Sequence, residues 1–483
     1  MYPRSVAELK MRRKTRAAIF AAGLPLLAAA AAAGSLDPRD QWPRWRGPLD
    51  TGVGPNADPP IEWAEDRNVA WKSALPGLGH ASPVVWGERI YLTSAVATGP
   101  PEPAAAGHGD DAPGAHDNVA PLRTMEFVVL ALERATGEVA WQRTVKTERP
   151  HEGAHKTGTW ASASPVTDGV HLFAFFGSRG LYAMTVDGES VWDVDLGDMQ
   201  TRHGHGEGAS PALYGDTLVV NWDHEGDSFV VALDKATGKQ RWKVARDEMT
   251  SWSTPLVVEH AGKPQVVIAA TGKSRGYDLA TGEVVWECGG LSRNVVASPV
   301  ATGSTVIVAN SYDWQAMLGI DLNRAKGDIT DTDAVVWRLR KYTPYVPSPV
   351  LADGTVYFLR HLQGILSAVD AASGDRRFGP FKVPGMRMVF ASPVAAAGRL
   401  YITSRNGATA VLAPPTQANA APEVLAVNRL DDAFSASPAL VGRELYLRGE
   451  RSLYRLEEPR PAKAPPATAP ASRPAGSRSP GSD

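Results

Sequence analysis

The chain has 483 residues, 50 Lys plus Arg against 52 Asp plus Glu, a formal net charge of -2 and 43% hydrophobic residues. So even a balance leaves no basic field for a nucleic acid, and the apolar share supports an ample core. With 46 Gly, 38 Pro and a single cysteine, Cys288, the chain is rich in turns, and a disulfide framework, a Cys-x-x-Cys zinc knuckle and a Cys-ligated cluster are all excluded.

In chain order, Arg12, Arg13, Lys14 and Arg16 precede an apolar run from Ala17 to Ala33. A basic start, an Ala/Leu stretch and small residues at Ala31 and Ala33 read as a secretory signal peptide over 1-33, giving a periplasmic or secreted protein that does not span the membrane once cleaved. No Cys comes after the run, so a lipoprotein is not expected. Residues 34-67, with Trp42, Trp45 and Trp63, read as an N-terminal clasp segment that runs along the outside.

From there the chain repeats itself. Ser-Pro or Thr-Pro recurs at Ser82, Ser164, Ser210, Thr254, Ser298, Ser348, Ser392 and Ser437, at intervals of 82, 46, 44, 44, 50, 44 and 45 residues. A period in the mid-forties is that of a four-stranded propeller blade. Most repeats carry a later landmark, a Gly-bearing hairpin four residues before an aromatic: Thr136-Gly137 and Trp141, Gly188 and Trp192, Thr237-Gly238 and Trp242, Thr281-Gly282 and Trp286, Ser373-Gly374 and Phe378. Gly accepts the positive φ of the turn, and the aromatic packs between blades. Small residues before Pro suit an innermost strand crowded at the axis, and Pro at a strand start loses no ladder bond.

The predicted fold is all-β, an eight-bladed β-propeller over 68-458. The last unit, from Ser437 to Leu456, is one strand short, and the Trp71 segment supplies that strand and closes the ring. The long first interval holds about 36 extra residues, a Gly/Pro/Asp-rich insertion at about 97-124 with His108 and His116. Residues 459-483, rich in Pro, Ala and Ser, read as a disordered tail.

The segments Ala131-x-Glu133-x-x-Thr136-Gly137-x-x-x-Trp141, Ala232-x-Asp234-x-x-Thr237-Gly238-x-x-x-Trp242 and Gly276-x-Asp278-x-x-Thr281-Gly282-x-x-x-Trp286 resemble the tryptophan-docking repeat of the pyrroloquinoline quinone (PQQ) propellers. The resemblance spans Trp71 to Leu456. It implies either of two functions, because that family includes quinoprotein dehydrogenases and non-catalytic scaffolds such as the propeller subunit of the outer-membrane β-barrel assembly machinery. For a dehydrogenase it implies PQQ with Ca2+, commonly beneath a disulfide of adjacent cysteines. Cys288 stands alone, no Cys-x-x-Cys-His haem site is present, and no catalytic residue can be carried over.

Strand order sorts the loops onto two faces. One, the lower, holds short turns such as Asp168-Gly169, Gly215-Asp216 and Asp353-Gly354. The other, upper face collects nine of the eleven histidines. There His203, His205, Glu207, Asp223 and His224 form a candidate site for Zn2+ or another divalent metal, a hydrogen-bonded polar network being the alternative. His151, His155, Arg179, Trp222, Arg275, Arg293, Trp314 and Arg405 form a candidate face for a protein partner in the cell envelope or for a small anionic ligand. The leading reading is an exported binding or scaffold module, with a role in outer-membrane protein assembly; the alternative is a PQQ- or metal-dependent enzyme using the axial channel.

Overall fold

The computed structural model describes residues 36–103 and 117–459, and from Asp37 onward they belong to one compact unit. The signal-peptide reading, His108, His116 and nearly all of the tail fall outside the described residues.

Eight antiparallel sheets succeed one another, each with an inner strand that starts directly after its Ser-Pro or Thr-Pro and an outer strand that, in most blades, carries the blade aromatic. Blades 1 to 7 occupy residues 84–148, 166–194, 212–245, 256–288, 300–339, 350–382 and 394–429. Blade 8 takes three strands from 439–456, and its outer strand is Val69–Ala74, antiparallel to Ser452–Leu456, as the sequence predicts. Blade 4 departs from the plan: Gly327–Asp328 adds a fifth, parallel strand to Val284–Cys288.

Hydrophobic clusters lie between blades. Phe173, Phe175 and Leu181 of blade 2 pack with Leu218, Val220 and Val231 of blade 3, and Leu256, Val267 and Trp286 of blade 4 with Val306, Val308 and Ile320 of blade 5. At roughly 1.5–3 kcal/mol for each large side chain withdrawn from water, these seams join the blades.

At the axis the repeated hydroxyls join into a ring. The backbone N–H of Ser82 donates to Ser164 Oγ at 2.9 Å, Ser164 N–H to Ser210 Oγ at 2.9 Å, Ser210 N–H to Thr254 Oγ1 at 3.0 Å and Thr254 N–H to Ser298 Oγ at 2.9 Å. Ser298 continues to Ser348, Ser348 to Ser392 and Ser392 to Ser437, at 2.8–2.9 Å. Ser437 N–H closes the circle on Ser82 Oγ at 3.0 Å. The Ser-Pro motif is thus a joint between consecutive blades, and the hydroxyl, more than small size, is what each position requires.

Residues 41–54 do not run along the outside, whereas Ile61 and Trp63 bond Asn428 on the outer strand of blade 7. Trp42 pairs with Val85 of blade 1, Pro43 accepts the Thr167 amide of blade 2, Thr51 that of Leu351 in blade 6, and Gly52 and Gly54 bond Ala395 of blade 7. All these partners belong to inner strands, so the segment crosses the lower end of the axis. Arg46 is buried there and donates to the carbonyls of Pro393 (3.2 Å) and Pro349 (2.6 Å), and burial pushes its pKa down to about 9. Aromatic residues without a repeat suggest a surface clasp; the structure makes residues 42–54 a plug and sets residues 61–63 against an outer strand.

Candidate functional site

The upper loops of blades 2 and 3 hold the densest polar cluster. Gly177–Arg179 forms a 3-10 turn opening at Gly177, whose φ is +56°. A Cβ at Gly177 would collide with the Glu207 carboxylate, so glycine is what lets this acid reach the turn. Glu207 there accepts the Ser178 amide at 2.7 Å and the Ser178 hydroxyl, while burial pushes its pKa up. Glu152 accepts three hydrogen bonds from the backbone and hydroxyl of Thr201, and burial raises its pKa to about 7.

The five expected metal ligands are divided among other tasks. Asp223 forms a fully buried two-pronged pair with Arg246, at 2.6 and 3.0 Å, and accepts Ser251 Oγ at 2.7 Å. His224 Nδ1 accepts the amides of Gln200 (3.1 Å) and Gly226 (3.2 Å). The His205 ring meets that of His155 edge to face, centroids 4.8 Å apart, and lies tilted to that of His203 at 5.3 Å. Among the described residues no group of three or more His, Cys, Asp or Glu is arranged to hold a metal ion. A buried carboxylate is best matched by a buried guanidinium, and Arg246, two strands away in the same blade, supplies it. Glu207, Asp223 and His224 thus take part in hydrogen bonds within the upper loops.

The expected anion-binding arginines are likewise matched. Arg179 pairs with Glu148 at 2.7 Å and with Asp198, and donates to His151 Nδ1 at 3.0 Å; His151 Nε2 meets the Met199 carbonyl at 2.6 Å. Arg275 reaches Asp247, Glu248 and Glu287, Arg293 grips Asp313 with two bonds of 2.7 Å, and Arg405 bonds Glu450 at 2.5 Å and Ser435 at 2.8 Å. Trp222 is in the core, stacked on Phe229, and does not reach the face; Trp314 is half exposed on it.

The outer strands supply the deciding repeat. Trp71, Trp141, Trp192, Trp242 and Trp337 each donate an indole N–H to a carbonyl of the next blade, at 2.8–3.2 Å, with the ring over that blade's hairpin glycine. A family model described as outer membrane protein assembly factor BamB, of the PQQ-like repeat kind, matches residues 125–380, just over half of the chain. The chain belongs to this PQQ-like propeller family. Among solved structures, this PQQ-like propeller is similar to BamB from Moraxella catarrhalis, with a TM-score of 0.50 at 13% identity, covering 80% of this chain and 97% of that one. It is similar to a europium-containing methanol dehydrogenase, with a TM-score of 0.58 at 11% identity over 86% and 90% of the two chains. For the quinohemoprotein alcohol dehydrogenase ADHIIG from Pseudomonas putida HK5 the values are 0.50, 12%, 90% and 84%. At such identities the likeness is one of fold. No curated protein matches the chain in sequence.

Above the plug, the PQQ-like propeller encloses an axial cavity of about 200 Å3, with Trp45, Trp252, Val296, Val346, Phe390 and His80 among its walls. Behind it Arg448 is buried, donates to the Ala81 carbonyl at 3.0 Å, and has its pKa pushed down to about 9; burial and then Arg448 push His80 down to about 3. The aromatic walls suit a planar group, and the acids of the adjoining pocket are already engaged, Glu152 by Thr201 and Asp223 by Arg246. Glu207 is the one carboxylate among the described residues lining the cavity, and it is committed to Ser178. Sequence reasoning missed both Arg448 and Trp45; the odd basic residue at the end of a propeller strand was the available signal for the first.

Proposed function

We propose that this PQQ-like propeller is a binding module of the cell envelope that acts in outer-membrane protein assembly by docking a protein on its upper face. One observation carries the reading: the exposed aromatic and methionine side chains gather there. Trp314 is 51% exposed, Met388 50% and Tyr312 37%, all on upper loops of blades 5 and 7, and the exposed Met249 and Leu78 are on the upper loops that enter blades 4 and 1. Trp, Tyr and Met are the residue types enriched in the cores of protein interfaces, whereas the lower face offers short Gly turns. The arginines expected for a ligand are neutralised within the chain, which favours a partner read by shape and apolar contact. The family description points to outer-membrane protein assembly, and the apolar run at Ala17 to Ala33 supports export. Among the described residues no helix is long and apolar enough to cross a membrane.

The test is site-specific photo-crosslinking in the native host from position 314 and, as a control, from Ala236 on a lower hairpin. The expected result is one discrete adduct with an outer-membrane assembly component from position 314, lost on Tyr312→Ala and Met388→Ala, and none from position 236. Equal labelling from both positions, or an adduct indifferent to those substitutions, sinks the reading.

A further inference from the structure

The matched arginines of the upper face throw three unmatched cations into relief. Lys382 ends the outer strand of blade 6, Arg429 ends that of blade 7, and Arg387 lies in the connection between them; with Val383, Met386 and Asn406 they line an open groove of about 480 Å3. None of the three has an ion-pair partner among the described residues. The cause is compositional: the upper loops of blades 6 and 7, residues 360–364, 383–393 and 404–407, contain no Asp or Glu. The first acids after Arg429, Asp431 and Asp432, are turned to Arg451, at 3.2 and 3.7 Å.

The groove is also held in shape. Asn406 Nδ2 donates to the Gly385 carbonyl at 3.0 Å, and the Arg387 amide donates to Ser404 Oγ at 3.1 Å. Val383 and Val389 bond their amides to Gly364 and Leu362 of blade 6, each at 3.0 Å. Gly385 takes φ +75°, and a Cβ there would sit 3.6 Å from Arg429 Nη2, so the guanidinium lies over the loop that carries Arg387. Met388, next in the chain, is held at φ +55°, a conformation uncommon for a side chain of its size. Fixing the backbone lowers the cost of ordering the long side chains around a ligand.

We propose that this groove between blades 6 and 7 binds a small multivalent oxyanion, a polycarboxylate or a phosphate ester. Two guanidinium forks and one ammonium suit the planar and tetrahedral oxygens of such groups, and the volume falls in the range of small-ligand sites. Val383 and Met386, both buried, form the floor beneath and leave recognition to the three cations. The site is separate from the aromatic cluster of blade 5; Met388 of the docking reading is on the same loop but does not line the groove.

Calorimetric titration of the mature protein with citrate and with pyrophosphate at about 20 mM salt tests it, with repetition near 200 mM, where screening is strong. Binding with a dissociation constant below about 1 mM is expected, weakening at the higher salt and lost by about tenfold or more in Arg387→Gln/Arg429→Gln. Arg293→Ala, which removes a matched arginine elsewhere on the face, should leave it unchanged. Preference for citrate assigns carboxylates, and preference for pyrophosphate assigns phosphate esters. No heat with either probe, or equal affinity in the Arg387/Arg429 variant with an unchanged melting temperature, overturns the proposal.

Discussion

At the scale of the residue, the ring of hydroxyls explains a motif that recurs eight times. Each Ser or Thr does two things at once, donating its amide to one neighbouring blade and accepting the amide of the other. The Pro next to it has no amide to satisfy, so it starts the inner strand at no cost in hydrogen bonds. Ser348→Ala should leave the buried Ser298 amide without an acceptor and cost about 1–2 kcal/mol, read as a lower urea midpoint, whereas Ser348→Thr, the residue type already present at Thr254, should cost far less. Equal midpoints for the two would mean that the ring carries no energy. The spacing of Ser-Pro was legible in the sequence and yielded the blade count; the hydroxyl's partner was not, because it sits a whole blade away along the chain. The same distance problem hid the fate of the polar upper loops. Histidines and acids are visibly clustered in sequence, yet that Asp223 would go to Arg246 and Arg179 to Glu148 and Asp198 depends on side chains meeting across strands and blades.

At the scale of the element, the hairpin glycine serves the blade before it as well as its own turn. Gly238 has φ +69°, and a Cβ on it would lie 2.7 Å from the Trp192 ring; Gly303 has φ +55° with nothing within 4 Å. Gly303→Ala should therefore cost only the roughly 1–2 kcal/mol of a left-handed backbone, while Gly238→Ala adds the displacement of a docked indole and should lower the melting temperature clearly further. Similar melting temperatures for the two variants would show that the indole yields freely. Trp286 is the instructive exception. Blade 5 has a long acidic turn in place of the short hairpin, and the indole turns inward over Gly276 to donate to Gln265 at 3.0 Å, while Gly327–Asp328 covers the strand edge. The sequence shows the odd turn; only the packing shows that a fifth strand replaces the usual docking.

At the scale of the molecule, the two ends of the propeller differ. The plug fills the lower end with Trp42 and Arg46 buried, and the cavity above it opens among the upper loops. Residues 41–63 thus bond to blades 1, 2, 3, 6, 7 and 8, and a chain starting at residue 65 would lack those bonds while keeping the closing strand. A chain starting at residue 76 would lack both and expose the edge of Ser452–Leu456. Scanning calorimetry should rank them, the full chain highest and the chain starting at residue 76 lowest; if that shortest chain melts with the full one, closure adds no stability.

Closure by Val69–Ala74 has a consequence for biogenesis. The strand synthesised first among the blades finds its partner only when Ser452–Leu456 has been made, nearly 390 residues later. Until that last strand is available, the propeller is an open arc with an unsatisfied rim at either end. The final joint, Ser437 to Ser82, is chemically the same as the other seven, so nothing local announces completion. A prematurely released chain would differ from a finished one mainly in those two rims, and they are the feature by which a holdase or protease would distinguish it.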